Sequence, residues 1–206
     1  MICGGELRNL LNPFFSLKYR WRFIDYMNDR DEDSFQIPKY FFITSGKAVN
    51  KISELNAFDE ALMDAGIAQC NLVPVSSIIP SGAVEVEYVE ITPGTITFCV
   101  LAKELGGPGE MISAGIAWGF GVDDRGLRYG IVAEAHGHVN REELLKELKA
   151  TLHRMAEARR MKLSKADYRV EVIERVPDGH YGCVLVAFVF VPKSEESKIR
   201  AKEGEH

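Results

Sequence analysis

The sequence predicts a mixed α/β fold in which two long helices lie outside two stacked β-sheets. Apolar residues recur at helical spacing in residues 55–69 and 140–161, and about seven shorter apolar stretches have the character of strands. Glycine-rich and proline-containing turns separate these stretches. Because each sheet must hide an apolar face and each helix an apolar stripe, helices outside two stacked sheets would bury all of these surfaces.

The first half of the chain is predicted to form one helix among several strands. Residues 40–43 are a short apolar strand candidate, and further strands are predicted at residues 72–75, 84–91, 95–102, 111–120 and 127–135. The helix over residues 55–69 begins at a cap provided by Ser53 or Asn56, and Gly66 lies near its end. Its apolar stripe consists of Leu55, Phe58, Leu62 and Ala65.

The helix over residues 140–161 is the clearest element of the sequence. Asn140 and Glu143 form a capping box at its start. Its apolar stripe consists of Leu144, Leu148, Leu152 and Met155. Two strands follow: residues 168–176 alternate between polar and apolar, whereas residues 181–191 are apolar almost throughout. The last strand is therefore expected to be covered on both faces.

Composition narrows the class of protein. The 206 residues have a net charge of −5 and a pI near 5.6, which argues against a nucleic-acid-binding surface. No apolar run approaches the roughly 20 residues of a membrane span, and no secretory signal is recognisable. The four cysteines are far apart without a Cys-x-x-Cys pair, so we expect neither a disulfide framework nor a zinc site, and a cytoplasmic location.

The sequence divides into a single domain between two polar ends. Residues 1–36, which include the charged run 28–33, are expected to be an N-terminal extension that is at least partly disordered, and Met27 is an alternative start. Residues 37–192 form the predicted domain. Residues 193–206 are a charged C-terminal tail.

The most informative feature is the serine pair Ser76-Ser77, which follows the apolar run 71–75 and precedes Ile78. A serine hydroxyl at this position can attack the carbonyl carbon of the preceding residue and convert the amide into an ester, from which elimination leaves a pyruvoyl group. Taken alone, however, a serine pair at a strand end is more often a turn whose hydroxyls bond the local backbone. Further motifs are needed to decide between these interpretations.

Four motifs together resemble the pyruvoyl-dependent arginine decarboxylases of archaea and some bacteria. They are LNAFD at residues 55–59, DAGI at 64–67, NLVPVSSIIP at 71–80 and GIVAE at 130–134, and the resemblance extends from Lys39 to Val191. It implies a single-domain, four-layer αββα sandwich that cleaves itself between residues 76 and 77. It also implies a homo-oligomer, a trimer or a multiple of one with active sites between subunits, that converts L-arginine to agmatine and CO2 in polyamine biosynthesis.

The resemblance assigns the chemistry to three residues. Decarboxylation leaves a carbanion at Cα, and a ketone beside an amide carbonyl accepts its electrons after condensing with the substrate amine. Ser77 would become this covalent pyruvoyl cofactor, Asn71 would donate to the oxyanion of self-cleavage, worth about 3 kcal/mol, and Glu134 would return a proton to Cα. From the residues alone, the commoner role of Asn71 is that of an ordinary strand-start residue, and Glu134 is more often a strand-end surface carboxylate.

Asp59 and Leu55 are the candidates for substrate binding. In the predicted first turn of its helix, a carboxylate such as Asp59 is favoured by the helix dipole whatever its function. Alternatively, the carboxylate pairs with the planar donors of a guanidinium group. The resemblance places Asp59 at the arginine side-chain site, with Leu55 lining the same pocket, and implies no metal, pyridoxal phosphate or nucleotide.

Three features leave the assignment open to alternatives. Ala135-His136 follow Glu134 where a bulkier residue and often a second acid are expected, and Ala68 stands at a position associated with glycine. His136 and His138 lack a third ligand at metal-binding spacing and are expected to be polar surface. The alternatives are a related pyruvoyl decarboxylase for another amino acid, such as histidine, and an unprocessed structural or regulatory paralogue in which Ser77 remains serine.

Overall fold

The structure is a computed structural model that describes residues 37–203. The predicted extension of residues 1–36, with the alternative start at Met27, lies outside the described residues, as do residues 204–206. The strands are β1 (Tyr40–Asn50), β2 (Asn71–Pro74), β3 (Ile78–Ile79), β4 (Val84–Glu85), β5 (Ile96–Gly106), β6 (Ile112–Val122), β7 (Arg128–Gly137), β8 (Lys162–Ile173) and β9 (Tyr181–Phe190). The helices are α1 (Glu54–Asp64), α2 (Arg141–Ala158) and α3 (Glu196–Glu203), the last preceded by a 3-10 turn at Lys193–Glu195.

The strands form two sheets. The first sheet has the order β2-β5-β9-β1-β4 and the second has the order β3-β7-β6-β8. All neighbours are antiparallel except the pairs β2–β5 and β1–β4, which are parallel. β2 and β3, which flank the serine pair, are thus edge strands of different sheets.

Three apolar cores hold these layers together. One core lies between the sheets, a second lies between α1 and the outer face of the first sheet, and a third lies between α2 and the outer face of the second sheet. β9 contributes to two of them: Val186 and Phe188 face the second sheet, whereas Leu185 and Ala187 face α1. The predicted mixed α/β sandwich is confirmed, and so is the burial of the last strand on both faces.

Helix α2 has the predicted start, and three residues of its predicted stripe are buried, whereas Met155 is only partly buried. The Asn140 side chain accepts hydrogen bonds from the backbone N–H groups of Glu142 and Glu143, and the Glu143 carboxylate accepts one from the Asn140 N–H. The helix buries a stripe formed by Leu144, Leu148, Leu152 and Ala156. Burying each leucine contributes about 1.5 to 3 kcal/mol, so this stripe fixes the helix to the second sheet.

Helix α1 is shorter than predicted. Ser53 caps it by accepting a hydrogen bond from the Asn56 N–H at 3.2 Å, and it ends at Asp64 because Gly66 adopts a left-handed φ of 73°. Since the helix begins at Glu54, Asp59 lies in the second turn, and its predicted place in the first turn was wrong. The helix also packs unusually close to β1: a Cβ added to Gly46 would lie 2.1 Å from the Ala61 carbonyl oxygen.

The predicted strand over residues 84–91 was wrong beyond its first two residues. Only Val84–Glu85 pairs with a neighbouring strand, in parallel with β1. The alternating sequence that follows forms no further strand, although Val89 and Ile91 are both buried in the core under α1. An irregular path brings both of these apolar side chains to the same core.

The first residues of the charged C-terminal segment pack onto the domain. Glu195 is buried and its carboxylate binds the Lys198 ammonium group at 2.7 Å and the Thr92 hydroxyl at 3.2 Å. Ile199 joins the core under α1. In residues 37–203, no helix is long and apolar enough to cross a membrane.

Candidate active site

The serine pair lies where the chain crosses from one sheet to the other. The Val75 N–H donates to the Cys99 carbonyl oxygen of the first sheet at 2.9 Å. Two residues later, the Ser77 carbonyl oxygen accepts from the Val132 N–H of the second sheet at 3.0 Å. The peptide bond between Ser76 and Ser77 therefore lies in the short bridge between these two anchors.

The backbone makes a tight turn at this bond. The Ile78 N–H donates to the Ser76 carbonyl oxygen at 2.9 Å, which closes a three-residue turn centred on Ser77. Arg160 is the only non-glycine residue with a positive φ in the part of the chain that the structure describes, so Ser77 has a negative φ and the turn is of the inverse γ type. A tight turn thus presents the carbonyl of Ser76 beside the side chain of Ser77.

The two hydroxyl groups are not used to stabilise the turn. Ser76 is exposed and Ser77 is half-buried, and neither hydroxyl forms a hydrogen bond with another residue in the range 37–203. An ordinary serine turn would use these hydroxyls to bond the local backbone. Their lack of such bonds favours the reactive interpretation of the pair.

Glu134 lies on β7 close to this bridge. Val132, whose N–H donates to the Ser77 carbonyl oxygen, comes two residues before Glu134. Two residues span roughly 7 Å along a strand. Val132 faces the core between the sheets, and side chains two residues apart leave the same face of a strand. Glu134 therefore points to the side of β7 from which the bridge to the first sheet departs.

The environment of Glu134 favours its protonated form. Glu134 is exposed as a whole residue, but partial burial of its carboxyl group raises its pKa above the ordinary value, and the nearby charge of His136 opposes this increase. Within the described residues its carboxylate has no hydrogen-bond or ion-pair partner that would hold it ionised. A carboxyl group with a raised pKa keeps its proton to a higher pH than an ordinary carboxyl group does, which suits a proton donor.

His136 is more than the polar surface residue that the sequence indicates. Its Nδ1 lies 2.8 Å from a carboxylate oxygen of Glu104, which belongs to β5 of the other sheet. The other Glu104 oxygen lies 4.0 Å from Nε2 of His138. This contact joins the sheets two residues beyond Glu134, and the 32-residue separation of Glu104 and His136 leaves no local sequence signal for it.

Asn71 occupies the start of β2, and its side chain is engaged elsewhere than at the serine pair. Its amide nitrogen donates to the Gly94 carbonyl oxygen at 2.8 Å, and its backbone N–H donates to the Thr95 carbonyl oxygen at 3.0 Å. These bonds favour the strand-start role that the sequence left open. They tie the beginning of β2 to the turn before β5.

Asp59 and Leu55 lie on the solvent-facing side of α1. Leu55 is 75% exposed, and Met63, two turns further along, is 56% exposed. Asp59 lies between them on this stripe and has no ion pair or hydrogen bond with any residue in the described range. An unpaired carboxylate between two exposed apolar side chains is suited to a surface that binds a ligand or another protein chain.

A cavity of about 520 Å³ lies between α1 and the β2 edge of the first sheet. This volume is within the range of small-molecule sites. It is lined by Phe58, Leu62, Cys70, Asn71, Leu72, Val73, Pro74, Leu101 and Lys103. Sequence reasoning missed Lys103, whose ammonium group lies 4.2 Å from the centre of the Phe58 ring, because only the tertiary fold brings β5 beside this helix.

The predicted site residues fall into three groups. Ser76, Ser77 and Glu134 lie at the crossing between the sheets, whereas Asn71 lines the cavity beside α1. Asp59 and Leu55 belong to the exposed side of α1 and do not line that cavity. In a single chain, the Ser76–Ser77 peptide bond thus lies at the crossing between the sheets, whereas the predicted substrate-binding residues lie on the exposed side of α1.

Comparison with known proteins identifies the family. A family model described as pyruvoyl-dependent arginine decarboxylase matches residues 40–195, a range that includes every predicted site residue. A protein of that name from Methanopyrus kandleri is 36% identical over 155 residues, which cover 75% of this chain and 97% of that protein. Pyruvoyl-dependent arginine decarboxylase 1 of Methanosarcina mazei is 31% identical over 165 residues, which cover 75% of this chain and 96% of that protein.

A shorter match has higher identity. The pyruvoyl-dependent arginine decarboxylase of Methanococcoides burtonii is 41% identical over 105 residues, which cover 48% of this chain and 57% of that protein. The family match covers both sheets and α1 and α2, so the likeness concerns the whole sandwich rather than one motif. The chain belongs to the pyruvoyl-dependent arginine decarboxylase family.

Proposed function

We propose that this protein decarboxylates L-arginine to agmatine and CO2 with a pyruvoyl group that it makes from its own Ser77. The observation that carries this proposal is the serine pair itself. Its peptide bond lies in a tight turn between two sheets, both hydroxyls are without hydrogen bonds in the described structure, and a carboxyl group with a raised pKa lies on the adjacent strand.

Self-cleavage would begin with the Ser77 hydroxyl. Its oxygen adds to the carbonyl carbon of Ser76, and the C–N bond then breaks as the proton passes to the Ser77 nitrogen, which leaves an ester. Loss of the Ser77 Cα proton and of the Ser76 carboxylate gives a dehydroalanine residue. Its imine tautomer reacts with water to give ammonia and the pyruvoyl group. The products are residues 1–76 and a chain of residues 77–206 with a blocked start.

The surroundings of residue 77 suit such a group. A pyruvoyl group accepts the electrons of the substrate carbanion through its ketone and the neighbouring amide carbonyl. The Val132 N–H donates to that amide carbonyl oxygen at 3.0 Å, so it can stabilise negative charge that develops there. We assign to Glu134 the proton that replaces CO2 at Cα, since burial raises the pKa of its carboxyl group.

Recognition of arginine is assigned to Asp59, with Leu55 beside it. The Asp59 carboxylate has no partner in the described chain, and a guanidinium group supplies two parallel N–H donors for it. Because α1 and the serine pair lie on different surfaces, we propose a homo-oligomer, a trimer or a multiple of one, in which a neighbouring subunit brings the two surfaces together. Exposed apolar residues on α1 and on the edge strands support this arrangement. We assign the enzyme to the cytoplasm and to polyamine biosynthesis.

Intact mass spectrometry tests the proposal most directly. The purified protein should consist of two fragments divided between Ser76 and Ser77, the second lighter than a serine-initiated chain by the mass of ammonia. Ser77→Ala should remain whole and inactive, because it lacks the attacking hydroxyl. Active protein with an undivided chain would refute the pyruvoyl mechanism, and inactive undivided protein would favour the unprocessed paralogue.

A further inference from the structure

The Ser76 carbonyl oxygen is the atom on which negative charge develops during the proposed self-cleavage. In the intact chain it already has a hydrogen-bond donor, because the Ile78 N–H lies 2.9 Å from it. This is an ordinary hydrogen-bond distance to the ground-state carbonyl, and the oxyanion would develop on the same oxygen. The donor is part of the same turn as the attacking residue, so it is in place before the reaction begins.

No other donor reaches this oxygen among residues 37–203. The amide of Asn71, which the family resemblance would assign to the oxyanion, donates to Gly94 instead and lies at the far end of β2 from the bridge. The Val132 N–H is occupied by the Ser77 carbonyl oxygen. The Ile78 N–H is therefore the donor that the intact chain supplies at the scissile carbonyl.

The Ile78 N–H is also not needed for sheet pairing. Ile78 is opposite Ile131 in the antiparallel pair of β3 and β7, and the neighbouring bond runs from the Val132 N–H to the Ser77 carbonyl. Ile78 and Ile131 are accordingly a pair without mutual backbone hydrogen bonds. β3 is an edge strand, so the Ile78 N–H faces away from β7.

We propose that the backbone N–H of Ile78 is an oxyanion donor for self-cleavage. The inference rests on the proposed function. When the Ser77 oxygen adds to the Ser76 carbonyl carbon, the C=O bond becomes a C–O⁻ single bond, and the hydrogen bond from Ile78 strengthens as the oxygen gains charge. When the C–N bond breaks, the oxygen returns to the carbonyl of the ester. The full charge of the addition step lies on this oxygen, whereas the later elimination shares the charge of the departing carboxylate between two oxygens, so the donor matters most in the addition step.

Ile78→Pro tests this role, because proline lacks the N–H and an edge strand tolerates it. Ile78→Val is the matched control, since it keeps the N–H and changes a side chain that is 41% exposed. Each precursor would be made by cell-free synthesis with a radioactive pulse, and its cleavage followed on denaturing gels. We expect Ile78→Val to cleave at about the parent rate and Ile78→Pro to cleave about 10²-fold more slowly.

A second variant separates the lost donor from the altered backbone, because proline also restricts the conformation of Ser77. Replacement of Ile78 by its α-hydroxy acid through nonsense suppression removes the N–H without adding a ring. The same replacement at Ile79 is its control. Simple hydrolysis of the new ester would give a fragment that ends at Ser77 rather than Ser76, so mass distinguishes it from self-cleavage.

Hydroxylamine identifies the step that is affected. It traps the ester intermediate, so slow elimination would leave a large trappable fraction, whereas slow addition would leave almost none. We expect almost no Ser76 hydroxamate in the Ile78→Pro and hydroxy-acid variants. In the latter, hydroxylamine also cleaves the introduced ester, but that product ends at Ser77 and is distinguished by mass. Parent-rate cleavage by the hydroxy-acid variant, or a large trapped fraction in it, would overturn the inference. An undivided parent protein would instead refute the proposed function itself.

Discussion

Replacing Glu134 by glutamine should separate cofactor formation from catalysis. The proposed proton transfer takes place only after the pyruvoyl group exists, so Glu134→Gln should still divide between Ser76 and Ser77. Glutamine has nearly the same shape as glutamate, and Glu134 has no hydrogen bond or ion pair with another described residue that the change would break. The fold should therefore be retained, while the acidic proton is lost.

The magnitude follows from the role assigned to the group. General acid catalysis contributes about 10²- to 10⁴-fold to a rate, which corresponds to about 2.7 to 5.4 kcal/mol in the activation barrier. The assay is release of CO2 from carboxyl-labelled arginine, normalised to the pyruvoyl content measured by mass. Glu87→Gln is a matched control, because Glu87 is likewise an exposed glutamate without a hydrogen bond in the described structure, and it should keep the parent rate.

Two outcomes would contradict this reasoning. If fully processed Glu134→Gln decarboxylated arginine at the parent rate, the proton would come from elsewhere. If the variant failed to divide, Glu134 would act during self-cleavage rather than after it. Thermal unfolding of the undivided protein would establish whether such a failure has a structural cause.

Three further predictions concern the neighbouring residues. His136→Gln removes a charge that lowers the pKa of Glu134, so the pKa of Glu134 should rise. Because a general acid is active below its pKa, the alkaline limb of the pH profile of kcat should move to higher pH. An unchanged limb would exclude this coupling. Asp59→Ala should self-cleave normally but lose most of its kcat/KM for arginine. The loss should correspond to about 3 to 5 kcal/mol if a partner subunit buries the pair of Asp59 carboxylate and substrate guanidinium. Unchanged arginine kinetics would show that Asp59 is only a surface carboxylate. Asn71→Ala should lower the free energy of unfolding by about 1 kcal/mol, because the hydrogen bond to Gly94 is lost. It should slow self-cleavage much less than Ile78→Pro does. Equal slowing in the two variants would show that the Asn71 amide donates to the oxyanion after all.

The elements that the sequence predicted well are those whose signals are local. The start of α2 was predictable because Asn140 and Glu143 lie three residues apart and bond each other's backbone. The burial of β9 was predictable because residues on both of its faces are apolar. In each case the information lies within one element and needs no knowledge of its neighbours.

The elements that the sequence predicted poorly depend on contacts between distant segments. Residues 84–91 alternate as a half-buried strand does, but Val89 and Ile91 pack under α1 instead of continuing the sheet. The contact between Glu104 and His136 joins two sheets, and the place of Lys103 beside Phe58 depends on how β5 packs near α1. Asp59 was placed in the wrong turn because the exact start of a helix is the least certain part of a sequence pattern.

The position of the serine pair explains how the fold would survive the proposed break in its own chain. No strand pairing crosses the bond between Ser76 and Ser77, since β2 pairs only with β5 in the first sheet and β3 pairs only with β7 in the second. The part of the described chain before the break remains anchored through β1, whose residues from Phe41 to Asn50 pair with β9, and through α1, which packs on the same sheet. The proposed break would therefore remove the covalent link between two edge strands and the turn that the Ile78 N–H closes with the Ser76 carbonyl, while the strand pairings of both sheets would remain. A cut within β5 or β9 would instead interrupt the centre of the first sheet, so the crossing between the sheets is a place where the proposed cleavage would leave the strand pairings of both sheets intact.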